Sequence, residues 1–286
     1  VVQLNQRYAA HRSEENVMLR SFKELQGGAV RTKDGDLGHL NQAYFDVDDW
    51  CIRYLVVKTG DRSHDRQVLI SPYSIKRNGA GSSTLHIDLT RQQVKDSPGT
   101  DTRQPVSRLH EIESRHYYGH PAYWDGPNLW GAGAYPDFDP AGPSQDPETG
   151  HSRPTRTTRA DALTDTRLRS TDEIRGYRLE APAGRVGRVS DFIYDNETWV
   201  IRYLAIDTGN RWLSSKTVLI ATDWLDEVDG STETVSTALT RDTIRRSPKY
   251  DDSQTVYRSD EIALHLFYGK QGYWSNGEPS RAHDTL

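Results

Sequence analysis

The chain has 286 residues, with 36 Lys and Arg against 41 Asp and Glu, a net charge of −5, and an apolar share of only 34%. At about 100–200 residues per domain this is one large domain or two small ones, and so low an apolar share disfavours a single large core. No window approaches the roughly 18 apolar residues of a membrane span, the lone Cys51 excludes an internal disulfide framework and a multi-cysteine zinc site, and a mildly acidic chain lacks the basic excess that binds nucleic acid.

Residues 1–18 form a polar N-terminal tail without the apolar region of a signal peptide; the expected location is cytoplasmic, with a membrane-peripheral one as the alternative. Residues 37–60, LGHLNQAYFDVDDWCIRYLVVKTG, then recur as residues 186–209, VGRVSDFIYDNETWVIRYLAIDTG, with nine of 24 positions identical. The match runs both ways, from Leu19-Arg20-Ser21 with Leu168-Arg169-Ser170 to Tyr123-Trp124 with Tyr273-Trp274. A repeat this long marks two duplicated domains, at 19–124 and 168–274, and not a solenoid.

In the first copy, Leu40–Phe45 reads as a strand, Asp46–Asp49 as a hairpin turn, and Trp50–Thr59 as a second strand. Cys51, Leu55 and Val57 share one face of that strand and Ile52, Tyr54 and Val56 the other, which predicts a central strand covered on both sides. Val68–Ile70 and Thr84–Asp88 follow as short strands. Thr90 offers an N-cap for a helical turn through Lys95, and Ser107–Tyr118 a helix stopped at Gly119. The second copy repeats this plan, with Ser259–Tyr268 as its last helix. Several short strands at close spacing predict a small β-barrel in each copy.

Residues 125–167 separate the copies and hold six of the 13 prolines and five glycines, which predicts a flexible linker. Trp130, Tyr135 and Phe138 are the exceptions to its polar background: either they dock on a domain or, as isolated loop aromatics more often do, they lie at the surface without a role. A polar tail, 275–286, follows the second copy.

Few residues assemble into chemistry. Cys51 becomes Val200 in the second copy and is expected to be an inert core thiol. The ten histidines are scattered, and no three or four converge as metal ligands must, so neither a metal nor a cofactor is expected. The acidic turns Asp46–Asp49 and 195–197 lack the glycine and distant glutamate of a calcium-binding loop and read as solvated turns. Arg53 and Arg202 sit mid-strand on an apolar face, where a charge needs a partner. Either they form structural ion pairs with the acidic turns or they offer guanidinium groups to a partner protein. The aromatic residues Tyr117, Tyr118, Tyr123, Trp124, Phe267, Tyr268, Tyr273 and Trp274 either pack on their own domain or serve as interface anchors. No enzyme constellation emerges.

The repeated W-x-I-R-Y-L-x-[VI]-x-T-G, preceded by a Gly and an acidic turn and followed by V-L-I and S-P, resembles the PRC-barrel family. The trailing Y-G-x-x-x-Y-W is similar to the extension of bacterial tandem PRC-barrel proteins. The resemblance covers both copies, and implies a mainly β fold of two small antiparallel PRC-type barrels, each followed by short helices and an aromatic tail. It further implies a non-enzymatic docking or assembly module acting through an unidentified protein partner, with a pseudo-two-fold contact between the copies and a possible homodimer. The family often has a Trp soon after T-G, kept here only as Trp212, which makes Trp212 a candidate contact of the second copy. A second reading, by analogy with the photosynthetic reaction-centre H subunit, is a peripheral accessory of a membrane or electron-transfer complex. Copy charges of +2 and −3 show no basic stripe, so no specific nucleic acid is expected.

Overall fold

The computed structural model describes residues 19–59, 66–76, 83–100, 106–137, 167–209 and 216–276. The fold is mainly β, with a separate mixed sheet in each of two units. Among the described residues, the first unit holds those of Glu24–Ile174, and the second holds Leu19–Lys23 with those from Arg175 to Asn276.

The strands of the first copy are β1 (Leu19–Ser21), β2 (Ala29–Thr32), β3 (Gly35–Asp46), β4 (Cys51–Thr59), β5 (Arg66–Ile70) and β6 (Leu85–His86). Those of the second are β7 (Leu168–Ser170), β8 (Arg178–Ala181), β9 (Gly184–Asp195), β10 (Ile201–Asp207), β11 (Thr217–Ala221), β12 (Glu227–Asp229) and β13 (Thr234–Ser236). The first sheet runs β5-β4-β3-β2-β6 and the second β11-β10-β9-β8-β13-β12. In both copies the long strand pairs along one edge with its hairpin partner. Residues 51–57 of β4 are all buried between β3 and β5, because both of its faces are apolar.

The other edge of the long strand is shared, and here the copies trade strands. The first half of β3 takes β2, while Tyr44–Asp46 take β7 from the second copy, with Asp46 opposite Leu168. Reciprocally, the end of β9 takes β1 from the first copy, with Asp195 opposite Leu19. The same tripeptide, Leu-Arg-Ser, thus fills both slots in the same register. Leu19 and Leu168 are buried. In the second unit Ser21 donates its hydroxyl to Asp191, whose other carboxylate oxygen accepts the Lys23 amide at 3.0 Å. In the first unit Ser170 donates to Gln42, and the Ala43 amide donates to Thr171 Oγ1 at 3.1 Å. Each unit therefore needs a piece of the other copy to complete its sheet.

Gly38 and Gly187 are matched glycines where the long strand crosses its hairpin partner. A Cβ on Gly38 would lie 1.9 Å from the Lys58 carbonyl oxygen, and one on Gly187 would lie 2.4 Å from that of Asp207. The repeated glycine is thus a close backbone approach. At the hairpin itself, Trp50 and Trp199 take left-handed backbone angles, φ 51° and 62°. Bulky residues rarely do so. Stacking of Trp50 on Phe45 (5.3 Å) and of Trp199 on Tyr194 (5.4 Å) holds them there, away from solvent.

Four expectations are corrected. Neither sheet closes into a barrel. The outer edge of β5 is instead bridged by Gly99 and Thr100, and that of β11 by Tyr250, so those backbone groups are satisfied without closure. Nor are the sheets wholly antiparallel, since β2–β6 and β8–β13 run parallel after the chain crosses beyond the hairpin. Of Thr84–Asp88, only Leu85–His86 is strand, while Ile87 bridges Ile75. The fourth correction concerns the linker: residues 125–137 pack on the first unit, with Leu129 and Trp130 buried. Gly126 and Gly131 permit this fold-back, because a Cβ on either would lie 2.4–2.7 Å from a backbone oxygen. Glycines that read as flexibility serve a tight turn. Phe138 and the remainder to residue 166 lie outside the described residues.

The helices follow their caps. In α1 (Arg91–Asp96) the Thr90 hydroxyl accepts the Gln93 amide while the Gln93 side chain accepts that of Thr90. The helix α2 (Arg108–Tyr118) starts at Ser107 and stops at left-handed Gly119. Their counterparts are α3 (Arg241–Arg246) and α4 (Arg258–Tyr268), the latter stopped at Gly269.

Candidate functional site

The residues with most chemistry form one cluster, built twice. In the first unit the hairpin turn places Asp49 four residues before Arg53, which is 1% exposed. Arg53 Nη2 donates to Asp49 Oδ2 at 2.7 Å, and Nη1 to the Leu129 carbonyl at 2.6 Å. The Tyr123 ring lies 4.1 Å from the guanidinium carbon, and the Trp130 ring 5.2 Å. A desolvated cation over two aromatic faces gains more than an exposed one. From α2, Glu111 accepts the Tyr123 hydroxyl at 2.6 Å and pairs with Arg108 at 3.1 Å; Arg108 in turn lies 4.3 Å from the Trp124 ring.

The second unit repeats the plan. Arg202 sits 3.9 Å from the Tyr273 ring and 3.7 Å from Asp195. Glu261 accepts the hydroxyls of Tyr203 and Tyr273, both at 2.9 Å, and pairs with Arg258 at 2.6 Å. Arg258 lies 4.4 Å from the Trp274 ring. A histidine also joins here, with His265 Nε2 3.0 Å from the Tyr203 hydroxyl. The acidic turns are closed by their own bonds: Asp46 accepts the Asp48 amide at 2.9 Å, and Asp195 accepts the Glu197 amide at 2.8 Å and the Thr198 hydroxyl at 2.8 Å. Asp46 and Asp195 are buried beneath these turns, contrary to the expectation of solvated carboxylates.

Tyr123 and Tyr273 thus pack on the units that carry them, drawn there by a buried guanidinium. Trp124 and Trp274 are half-buried beside them. Tyr118 stacks 5.6 Å from His120, and Tyr268 packs 4.7 Å from Trp224. Only Tyr117 (41% exposed) and Phe267 (39%) face outward. Trp212 lies outside the described residues. Cys51 is buried and forms no disulfide. Reasoning from sequence missed Glu111, Glu261, Arg108 and Arg258. The signal was present as Arg-x-x-Glu in the same register of both last helices. Among the described residues, no group of three or more His, Cys, Asp or Glu is placed to hold a metal ion, and no helix is long and apolar enough to cross a membrane.

Burial moves two groups of the first unit in opposite directions. Desolvation pushes the Glu111 carboxyl up to about 7, against the pull of Arg108 and the Tyr123 hydroxyl. Desolvation also holds His120 down at about 4. The folded chain keeps a proton on Glu111 that the unfolded chain has lost above the ordinary carboxyl range, so its contribution to stability falls as pH rises to about 7. His120 stays neutral where the unfolded histidine is protonated, so its contribution falls as pH drops from about 6.5 to about 4. The two slopes oppose each other over much of that range. Glu111→Gln removes the first, so the variant gains on the parent protein by on the order of 3 kcal/mol between pH 4.5 and 8. Urea unfolding at a series of pH values checks this; a constant difference would mean a solvated, ionised Glu111.

No protein-family model matches the chain, and no curated protein matches it in sequence.

Proposed function

We propose that this chain is a tandem PRC-barrel protein acting as a non-enzymatic docking or assembly module. The resemblance carried by the duplicated W-x-I-R-Y-L-x-[VI]-x-T-G supports the family, and the long strand with its register shifts and matched glycine suits that fold. One observation carries the docking function. The polar and aromatic groups with most chemistry are turned inward onto one another, while α4 presents Ile262 (43% exposed), Leu266 (76%) and Phe267 (39%) outward. Large apolar side chains grouped on one exposed helix face mark a protein contact more often than a reacting centre. The exchange of Leu-Arg-Ser strands supports reading the two copies as one module, each completing the other.

In-cell crosslinking followed by affinity capture and quantitative mass spectrometry tests this reading. A bait carrying Leu266→Glu is expected to lose, by about tenfold, the proteins held by the parent bait. Equal capture by both baits would remove the helix face from the proposal, and binding to vesicles reversed by salt would favour the membrane-peripheral reading.

A further inference from the structure

The duplication supplies an internal comparison for α4. At positions matching Ile262, Ala263, Leu266 and Phe267, α2 carries Ile112, Glu113, His116 and Tyr117. Both helices bury the side that carries the glutamate of the cluster, Glu111 or Glu261. On the outward side, however, α2 has a carboxylate and an imidazole where α4 has Ala and Leu. Burial within the unit does not explain that difference, because Leu266 is 76% exposed.

The outward face of α4 is complementary to itself when reversed. Ile262 and Leu266 are four apart and lie along one side of the face; Ala263 and Phe267 are four apart and lie along the other. A two-fold axis across the middle of the helix sets Ile262 opposite Leu266, and small Ala263 opposite large Phe267. The same operation sets Asp260, in the first turn, opposite Lys270, just past the last. Both are exposed. An isologous contact repeats each of these pairings.

We infer that the outward face of α4 binds a second copy of this chain, helix antiparallel to helix about a two-fold axis. This inference rests on the docking reading above and names its partner. One helix face is smaller than the roughly 800 Å² per partner of a stable interface, so the dimer is reversible and concentration-dependent.

Sedimentation velocity of the full chain from about 1 to about 300 μM tests it, with melting temperature recorded for each variant. The parent protein is expected to pass from monomer to dimer across that range. Leu266→Glu, at an exposed position, weakens dimerisation by about tenfold or more with unchanged melting. Lys270→Asp, past the end of the helix, weakens it by about tenfold, since the two-fold axis doubles the like-charge clash with Asp260, whose carboxylate keeps its capping bond from the Tyr257 amide. A parent protein that stays monomeric at 300 μM overturns the inference, as does a dimer indifferent to Leu266→Glu or to Lys270→Asp. A monomeric chain that still captures a different protein through Leu266 leaves the docking reading standing; loss of both removes it too.

Discussion

Arg53→Leu is expected to lower unfolding free energy by about 3–5 kcal/mol, the largest single-residue effect in the first unit. The loss has three sources. The Leu129 carbonyl, bonded at 2.6 Å, is left without the donor that fixes the fold-back of residues 125–137. The Tyr123 and Trp130 rings lose the cation against which they pack. Asp49 loses this ion pair, although its partial exposure allows water to take the guanidinium's place. Arg53→Lys is expected to recover little, because a single ammonium cannot bond Asp49 and Leu129 together while lying flat on a ring. Arg202→Leu is expected to cost less. Its pairing with Asp195 is looser at 3.7 Å, and Asp195 already accepts three bonds from its own turn. Chemical denaturation of the three variants beside the parent protein gives the order. A loss below about 1 kcal/mol for Arg53→Leu would mean that the guanidinium is not held by this cluster in solution.

That cluster also shows which parts of the molecule are legible in the sequence. The hairpin, the Thr90 capping box and the stops at Gly119 and Gly269 are local: each is set by residues within a few positions, so short-range chemistry suffices. A charge mid-strand beside an acidic turn points to the Arg53–Asp49 pair for the same reason. What joins Glu111 to Tyr123 is not local. A lone Glu on a mixed helix reads as solvent-facing until the aromatic pair beyond the helix is known to fold back over it. Trp130 was illegible on similar grounds, since a Gly- and Pro-rich segment has the composition of a linker whether or not its glycines close a turn. Sheet closure depends on whether the last strands meet, and here other loop backbone groups reach the edges first. The exchange of strands was hidden by the duplication itself. An identical Leu-Arg-Ser before each copy carries no label saying which slot it fills.

That ambiguity makes the exchange testable in the intact chain. Leu19→Ala is expected to cost about 2–4 kcal/mol, the range for emptying a buried leucine site, and to do so in the second unit. Amide exchange should quicken at the end of β9 and along β10, residues 192–206, while β3 and β4 keep their protection. Leu168→Ala should do the reverse, loosening residues 43–56 and sparing the second unit. The opposite pattern, with each substitution acting on its own copy, would show that the strands pair within copies. The slots differ at several matched positions, of which Gln42 and Asp191 receive the serine of the incoming strand. Asp191, with its carboxyl raised by burial, receives Ser21 and the Lys23 amide in the second unit, whereas Gln42 receives Ser170 in the first. A carboxylate can accept from the hydroxyl and the amide together, one on each oxygen; the Gln42 amide offers only a single oxygen. The Phe22 side chain adds to the difference, being fully buried in the second unit with its ring centroid 6.4 Å from that of Tyr194. Asp191→Asn should therefore weaken the hold on β1 while leaving β7 in place, and the same exchange experiment would show quickening confined to the second unit.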